Sequence, residues 1–406
     1  MDAYFDALRE LVQPIRAADL PQTLEPMRHL LDRLGSPHER FTPIVVAGST
    51  GKGTTCRDLA ALLGGAGIKT GLYTSPHLHL FRERFVVDGE MIEQAALVEA
   101  WRVVRAAEQH VDHRFSTFES GTALALWWFA QQPVDVAVLE IGLGGRFDAV
   151  NIVANRLALL TPIELEHAAM LGGTLETIAW HKAGIIQPGG TAISAPQVDA
   201  VRAVLEREAG SQGARLIFEE GHLARAAYHL LAREKRLESL PADPIAVPIA
   251  LPGRREIIDR NGREIVIDGG HTPEAARALR QFTGDRSALV IVGMLRDKAV
   301  EPFVRVFDTP ENQLVGTQPP ADRALRPDEL LGRFQPQHAR WTIAPSLEAA
   351  LDSALTADQP LVIITGSLRL AAAAREHFGM LSAEELAEAQ ATRAIFDGES
   401  YRRKLE

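Results

Sequence analysis

The sequence holds a single cysteine, Cys56, so no intramolecular disulfide can form and the chain suits a reducing compartment. It has no excess of positive charge: 43 Lys and Arg stand against 53 Asp and Glu, a formal net charge of −10. That excludes the basic face of a general nucleic-acid binder. It leaves room for an anionic small substrate, because local cations outweigh the total. No apolar run reaches the roughly 18 residues that a membrane span needs. The opening MDAYFDALRE is acidic and amphipathic with no apolar signal core, so neither a signal peptide nor membrane association is expected, and a cytoplasmic location is. No internal repeat or low-complexity tract is present. What remains is an ordinary globular composition, 46% hydrophobic and 24% charged over 406 residues, a length suited to two or three domains.

Short β-rich runs alternate with amphipathic segments. PIVVAG (43–48), GLYTS (71–75), VDVAVLEIG (134–142), LALLTPI (157–163) and TAISAP (191–196) are apolar, partly β-branched and bounded by Gly or Pro, which predicts buried strands. Helical patterns such as DLAALLGGAG and TFESGTALALWWFAQQ lie between them. This alternation predicts an α/β fold with a parallel sheet covered by helices. A second series follows: REIVIDGG (263–270), SALVIVGML (287–295), NQLVGT (312–317) and PLVIITGSL (360–368), with helices such as EAARALRQF and LRLAAAAREHF. Between the series, LPADPIAVPIALPGR (240–254) carries four prolines and a glycine and suits a connection between domains. The expected division is a larger domain at 1–250 and a smaller one at 251–406 that ends in a helical tail.

The first strand runs into GSTGKGTT. Gly48, Gly51 and Gly53 permit unusual backbone angles and close approach. Successive N–H groups there, from Gly48 through Ser49, Thr50, Gly51, Lys52, Gly53, Thr54 and Thr55, can face phosphate oxygens at a helix N-terminus. Lys52 can neutralise phosphate charge, and Thr54 or Thr55 can face a metal ion. A glycine-rich strand-to-helix turn with an exposed lysine is the structural alternative.

Four further stretches place polar groups at strand ends, where open α/β sheets bind ligands. In TSPHL (74–78), Ser75 suits a hard cation such as Mg²⁺ or a turn cap before proline. In LEIGLGGRFDAVN (139–151), Glu140 ends a buried strand and needs a metal or a basic partner, since an isolated buried carboxylate is costly. Gly142, Gly144 and Gly145 let the backbone pass close to a ligand, and Arg146 and Asp148 follow. In 164–190, Glu166, His167 and Lys182 stand out. His167 is either a metal ligand or a satisfied core or capping residue. Lys182 lies in the apolar helix end AWHKAGII. It either snorkels, or is buried with a lowered pKa and enough neutral amine to add CO₂ and become a carbamate. In DGGHTPEAARAL (268–279), Asp268 and His271 flank two glycines before a helix, a pattern that a glycine turn with an N-cap would also give. TGS (365–367) repeats the arrangement after the last strand.

In order along nearly the whole chain, AGSTGKGTT, LYTSPHL, FRERF, LEIGLGGRFDAVN, HKAGIIQPG, PGR, DGGHTPEAA, GMLRDK and TGSL resemble the folylpolyglutamate synthase/dihydrofolate synthase family of the Mur ligase superfamily. The resemblance implies an N-terminal P-loop parallel-sheet ATPase domain and a smaller C-terminal Rossmann-like α/β domain. It implies an ATP-dependent amide ligase in folate biosynthesis and one-carbon metabolism. There the acceptor carboxylate is phosphorylated by ATP and the amine of an amino acid, usually glutamate, displaces phosphate. Lys52 and its glycines would hold the triphosphate. Ser75, Glu140 and His167, with Thr54 of the loop, would match the Mg²⁺ ligands, and Lys182 the carbamylated lysine. Arg254 would reach the phosphates, and Asp268, His271 and Ser367 would lie near ATP and the amino acid, with His271 a candidate base. The implied partners are a pterin- or folate-like carboxylate and an amino acid, and a monomer is expected.

The sequence departs from the family in four places. Ser49-Thr50 stand for Thr-Asn, Gly270 and Thr272 for Ala and Asn, and Glu166 for Asp. The stretch between LIFEE (216–220) and ARAAYHLLARE (224–234) is too short to hold the family's β-rich insertion and its adenine-facing Gln and Asn. Two alternatives therefore stand beside the folate reading: a ligase of the same mechanism acting on another carboxylate, and a non-catalytic nucleotide-binding paralogue.

Overall fold

The computed structural model describes residues 2–13, 22–234 and 240–397. Two compact units form: Met1–Ala250 with Ala389–Glu406, and Leu251–Glu388.

The first unit is built on eight strands: β1 (Thr42–Ala47), β2 (Thr70–Tyr73), β3 (Phe85–Val87), β4 (Glu90–Met91), β5 (Val136–Glu140), β6 (Leu157–Leu160), β7 (Thr191–Ser194) and β8 (Arg215–Phe218). Their order across the sheet is β4-β3-β2-β5-β1-β6-β7-β8. The six strands from β2 to β8 run parallel, while β3 and β4 are antiparallel additions at one edge. β1 is central because Pro43–Ala47 is buried on both faces. The period-2 alternation of a strand splits it cleanly. Ile44 and Val46 join one apolar cluster, Val45 and Ala47 the other. The Ile44 face is covered by the helix Lys52–Gly65, through Cys56, Leu59 and Leu63, and by the helix Leu223–Arg233. Leu59 and Leu63 lie one turn apart and are fully buried, each contributing about 2 kcal/mol by area removed from water. The opposite face takes the helices Gln94–Glu108, Thr117–Gln131, Leu175–Ala183 and Asp199–Ser211.

After β1 the chain crosses to β2, and β5 later inserts between them, while β6 continues on the other side of β1. The strand order therefore reverses at the C-terminal end of β1, where doubly wound sheets open a crevice. Only Glu219–His222 separate β8 from Leu223–Arg233, so that helix lies directly against the helix Lys52–Gly65 with no inserted strands. Among the described residues, no helix is long and apolar enough to cross a membrane.

The second unit carries β9 (Glu256–Arg260), β10 (Arg263–Ile267), β11 (Ala288–Val292), β12 (Gln313–Gly316), β13 (Arg340–Ile343) and β14 (Leu361–Thr365), in the order β13-β12-β11-β14-β10-β9. All pair in parallel except β9, which forms a hairpin with β10. The strand predictions above fall on nine of these fourteen strands; β3, β4, β8, β9 and β13 are additional. The terminal helix, Ala383–Asp397, differs from the expected assignment to the second domain. From Ala389 onward it belongs with the first unit, because Phe396 stacks on Phe81 at 5.8 Å and meets the edge of His77 at 4.9 Å.

Candidate active site

The phosphate-loop candidates sit at the end of β1. Gly48 has φ +141°, and a Cβ there would stand 1.9 Å from Thr161 Oγ1 and 2.9 Å from the Thr161 carbonyl oxygen. No other residue fits. The Ser49 N–H then donates to Pro162 O at 2.8 Å, which pins the loop across the end of β6. Gly51 precedes the helix, which begins at Lys52 and has no side-chain cap. The first N–H groups of that helix have no acceptor within it, so they present positive ends outward. Thr54 and Thr55 lie in this first turn, and the Thr55 N–H donates to Gly51 O at 2.9 Å. Lys52 Nζ folds back on the loop and donates to Gly48 O and Ser49 O, both at 3.3 Å.

Lys182 arrives from the far end of the helix Leu175–Ala183 and donates from Nζ to the same Gly48 carbonyl at 2.6 Å. Two lysines from distant parts of the sequence thus meet on one oxygen. Lys182 is 4% exposed. Burial pushes its pKa down from 10.5 to about 7; the Lys52 charge adds to this, and Glu166 and Asp148 oppose it. Close packing of the glycine loop against this helix makes the approach possible. A Cβ at Gly145 would meet His181 O at 2.8 Å and Lys182 Cα at 3.1 Å.

Glu140 ends β5 opposite Val46 of β1 and is 4% exposed. Its Oε2 accepts the N–H of Ser75 at 2.8 Å, so these two candidate residues are in contact. Arg146 is not the basic partner of Glu140. It pairs with Glu208 at 2.8 Å and lies over the Trp180 ring at 4.2 Å, a structural clamp on the helices beside the site. His167 stands with φ +54° on the loop after β6 and faces Glu166 Oε1 at 3.8 Å. Among the described residues no group of three or more His, Cys, Asp or Glu side chains comes together to hold a metal ion.

Two residues outside the predicted set also belong to this edge. Asp148 accepts N–H groups from Gly142 at 3.1 Å, Leu143 at 2.9 Å and Val150 at 3.0 Å, and burial still pushes its pKa up to about 7. Its place inside GGRFD was the available signal. Glu164 accepts the Thr50 hydroxyl at 2.7 Å, a contact across 114 residues that no local pattern announces.

In the second unit, Asp268 lies just past β10 and fixes the turn after it. Its carboxylate accepts the N–H of Arg255 at 3.0 Å and of Gly270 at 2.7 Å. His271 Nδ1 is 3.3 Å from Gly269 O. Thr272 caps the helix Pro273–Thr283 by accepting the Ala275 N–H at 3.2 Å. Ser367 is a helix cap too, accepting the Leu370 N–H at 3.1 Å. The Gly366 N–H donates to Gly270 O at 3.1 Å, so the ends of β10 and β14 are tied together. Arg254 ends the Leu251–Arg254 turn, where its N–H donates to Leu251 O at 3.2 Å.

Residues 253–368 match the family described as Mur ligase, glutamate ligase domain. The chain is 32% identical to a folylpolyglutamate synthase of Lacticaseibacillus casei over 86% of its length and 92% of the relative's. It is 30% identical to the dihydrofolate synthase/folylpolyglutamate synthase of Escherichia coli, over 84% and 87% of the two chains. A bifunctional folylpolyglutamate synthase/dihydrofolate synthase from Yersinia pestis, solved with AMPPNP and a Mn ion, superposes with a TM-score of 0.76 at 26% identity, over 89% of this chain and 94% of that one. A glycine loop ends the central strand of the first sheet, two lysines meet on its Gly48 carbonyl, and the likeness to these proteins runs along nearly the whole chain. The protein belongs to the folylpolyglutamate synthase/dihydrofolate synthase family of Mur ligases and is an ATP-dependent ligase.

Proposed function

We propose that the protein joins glutamate to the free carboxylate of a pterin-bearing acid through an acyl phosphate, with Gly48–Thr55 as the triphosphate cradle. The observation that carries this reading is the meeting of Lys52 and Lys182 on Gly48 O, at 3.3 and 2.6 Å, at the same sheet edge as the Ser75–Glu140 pair. In this reading the loop N–H groups and Lys52 bind the β- and γ-phosphates, whose charge they offset as the acceptor carboxylate approaches. Attack of the acceptor oxygen on the γ-phosphorus breaks the bond to ADP. The amine of glutamate then attacks the acyl carbon, and inorganic phosphate leaves.

The residues present fit a hard divalent cation. Glu140 is a buried carboxylate at this sheet edge that accepts the Ser75 N–H, and in this reading the hydroxyls of Ser75 and Thr54 would add oxygen ligands. With His167 they would hold Mg²⁺, which when bound offsets repulsion between two anions. Lys182, with its pKa at about 7, keeps a large neutral fraction at physiological pH. Its Nζ can add to CO₂, forming an N–C bond and releasing a proton, and the resulting carbamate would supply another anionic oxygen to the cation. In the second unit, Arg254 is the candidate phosphate contact, His271 the candidate base for the incoming amine, and Asp268 and Ser367 candidate groups near ATP and the amino acid; Asp268 fixes the turn after β10 and Ser367 caps the helix Leu368–His377.

Phosphate release from purified protein with ATP, Mg²⁺ and glutamate, over a panel of carboxylates, tests the reading. Turnover with dihydropteroate or a reduced folate is expected. Turnover only with other acids would keep the ligase and discard the folate acceptor. In parallel, Lys52→Ala is expected to abolish turnover while leaving the unfolding transition in place, and a wild-type rate would remove the loop from the mechanism.

A further inference from the structure

The phosphate loop is held from outside by one residue to which the established activity assigns no role. Glu164 lies four residues past the end of β6 and makes three contacts with the loop. Its carboxylate accepts the Thr50 hydroxyl at 2.7 Å, its N–H donates to Ser49 Oγ at 2.9 Å, and its carbonyl accepts from Ser49 Oγ at 3.2 Å. Ser49 is 8% exposed and its own N–H is spent on Pro162 O at 2.8 Å. Main chain and side chain of the 162–164 segment therefore grip both residues that separate Gly48 from Gly51. These are the two positions at which the loop carries Ser-Thr, residues whose hydroxyls both donate and accept.

We infer that Glu164 is a positioning residue for nucleotide binding: it latches Ser49 and Thr50 so that the loop amides converge before a triphosphate arrives. The inference rests on the reading of Gly48–Thr55 as the triphosphate cradle. A loop of three glycines loses much conformational freedom when it closes on a ligand. A latch that holds the loop closed beforehand removes that cost from the binding step. The hydroxyl-to-carboxylate bond is charge-assisted, the stronger class of hydrogen bond. There is an opposing effect, since a carboxylate close to a triphosphate repels it. The two effects separate by substitution. Gln keeps an oxygen acceptor for Thr50 and removes the charge, whereas Ala removes both.

The test is titration of Mg²⁺–AMPPNP into the full-length protein by calorimetry, with thermal unfolding of each variant recorded beside it. Glu164→Ala is expected to weaken the affinity about 5- to 10-fold relative to Glu164→Gln. Thr50→Val, which keeps the shape and loses the hydroxyl, is expected to fall by a similar factor. The double variant T50V/E164A is expected to be no weaker than the worse single one, because both break the same bond. Multiplicative losses in the double variant would overturn the latch, as would equal affinities for E164A and E164Q. A variant that fails to fold is replaced by Glu164→Ser, which shortens the side chain out of reach of Thr50 and must show the same loss. Lys52→Ala serves as the control for the underlying reading. If it leaves AMPPNP affinity intact, the cradle itself is wrong. If it abolishes binding while the Glu164 and Thr50 variants do not differ from wild type, only the latch is wrong.

Discussion

Replacing Lys182 by methionine should stabilise the folded chain while destroying its activity. The side chain is 4% exposed, and its pKa falls from 10.5 to about 7 on folding. At about 1.4 kcal/mol per tenfold change, that gap is a penalty of about 5 kcal/mol on the charged form. The folded pKa lies below the unfolded one. Between pH 7 and 10.5 the unfolded chain therefore binds a proton that the folded chain does not, and this group makes stability rise with pH across that window. Below pH 7 both states are charged and the full penalty applies. From about pH 6 to about pH 9, wild type should gain about 3 kcal/mol on K182M. Urea unfolding in CO₂-depleted buffer at several pH values measures the difference, and parallel curves for the two proteins would refute the buried, deprotonating lysine. Turnover of K182M should fall at least about 100-fold. Lys182→Ala should recover part of its turnover with formate or acetate, which can occupy the place of a carbamate. Failure to recover would leave Lys182 as a cation alone.

Two further outcomes follow from the packing. Gly48→Ala should lose about 2–4 kcal/mol, from a φ of +141° that alanine resists and a Cβ placed 1.9 Å from Thr161 Oγ1. Thr161→Ala should not restore it, because the Thr161 carbonyl would still lie 2.9 Å away, and urea midpoints decide this. Ser367→Ala removes the cap of the helix Leu368–His377 and should lose about 1 kcal/mol by the same measurement, with Ser367→Asp recovering most of it.

Much of the fold was legible because the central strands are short apolar runs ended by Gly or Pro, and β1, β5 and β6 are buried on both faces as such runs require. The strands that escaped are those without that signature. β13 is largely exposed, β4 has two residues, and β8 is only half-buried. β9 was readable in principle, since Asn261-Gly262 is a two-residue hairpin turn between alternating segments. In the candidate site, Lys52, Glu140 and Lys182 stood out because each breaks the expectation for its place, a lysine in a glycine turn and charges in apolar runs, whereas Ser75 read equally as a turn cap before proline. Asp268 and Ser367 were legible as strand-end polar groups, and locally they tie down turns and a helix end. Glu164 was invisible, because its partner lies 114 residues away and an acidic residue just past a strand end reads as ordinary loop. The ownership of the terminal helix escaped for a related reason: it depends on where Phe396 finds an aromatic neighbour, which no periodicity reports.

Cys56 has a practical consequence. It faces the sheet from inside the helix Lys52–Gly65, fully buried, and burial raises its thiol well above the ordinary range. A sulfur so enclosed and so rarely ionised is slow to meet maleimides, iodoacetamide or peroxide. The natural chain is thus a ready-made blank background for spectroscopy. A single cysteine engineered on the surface of each unit could carry dyes or spin labels that report inter-unit distances through the catalytic cycle, with no native thiol to remove first.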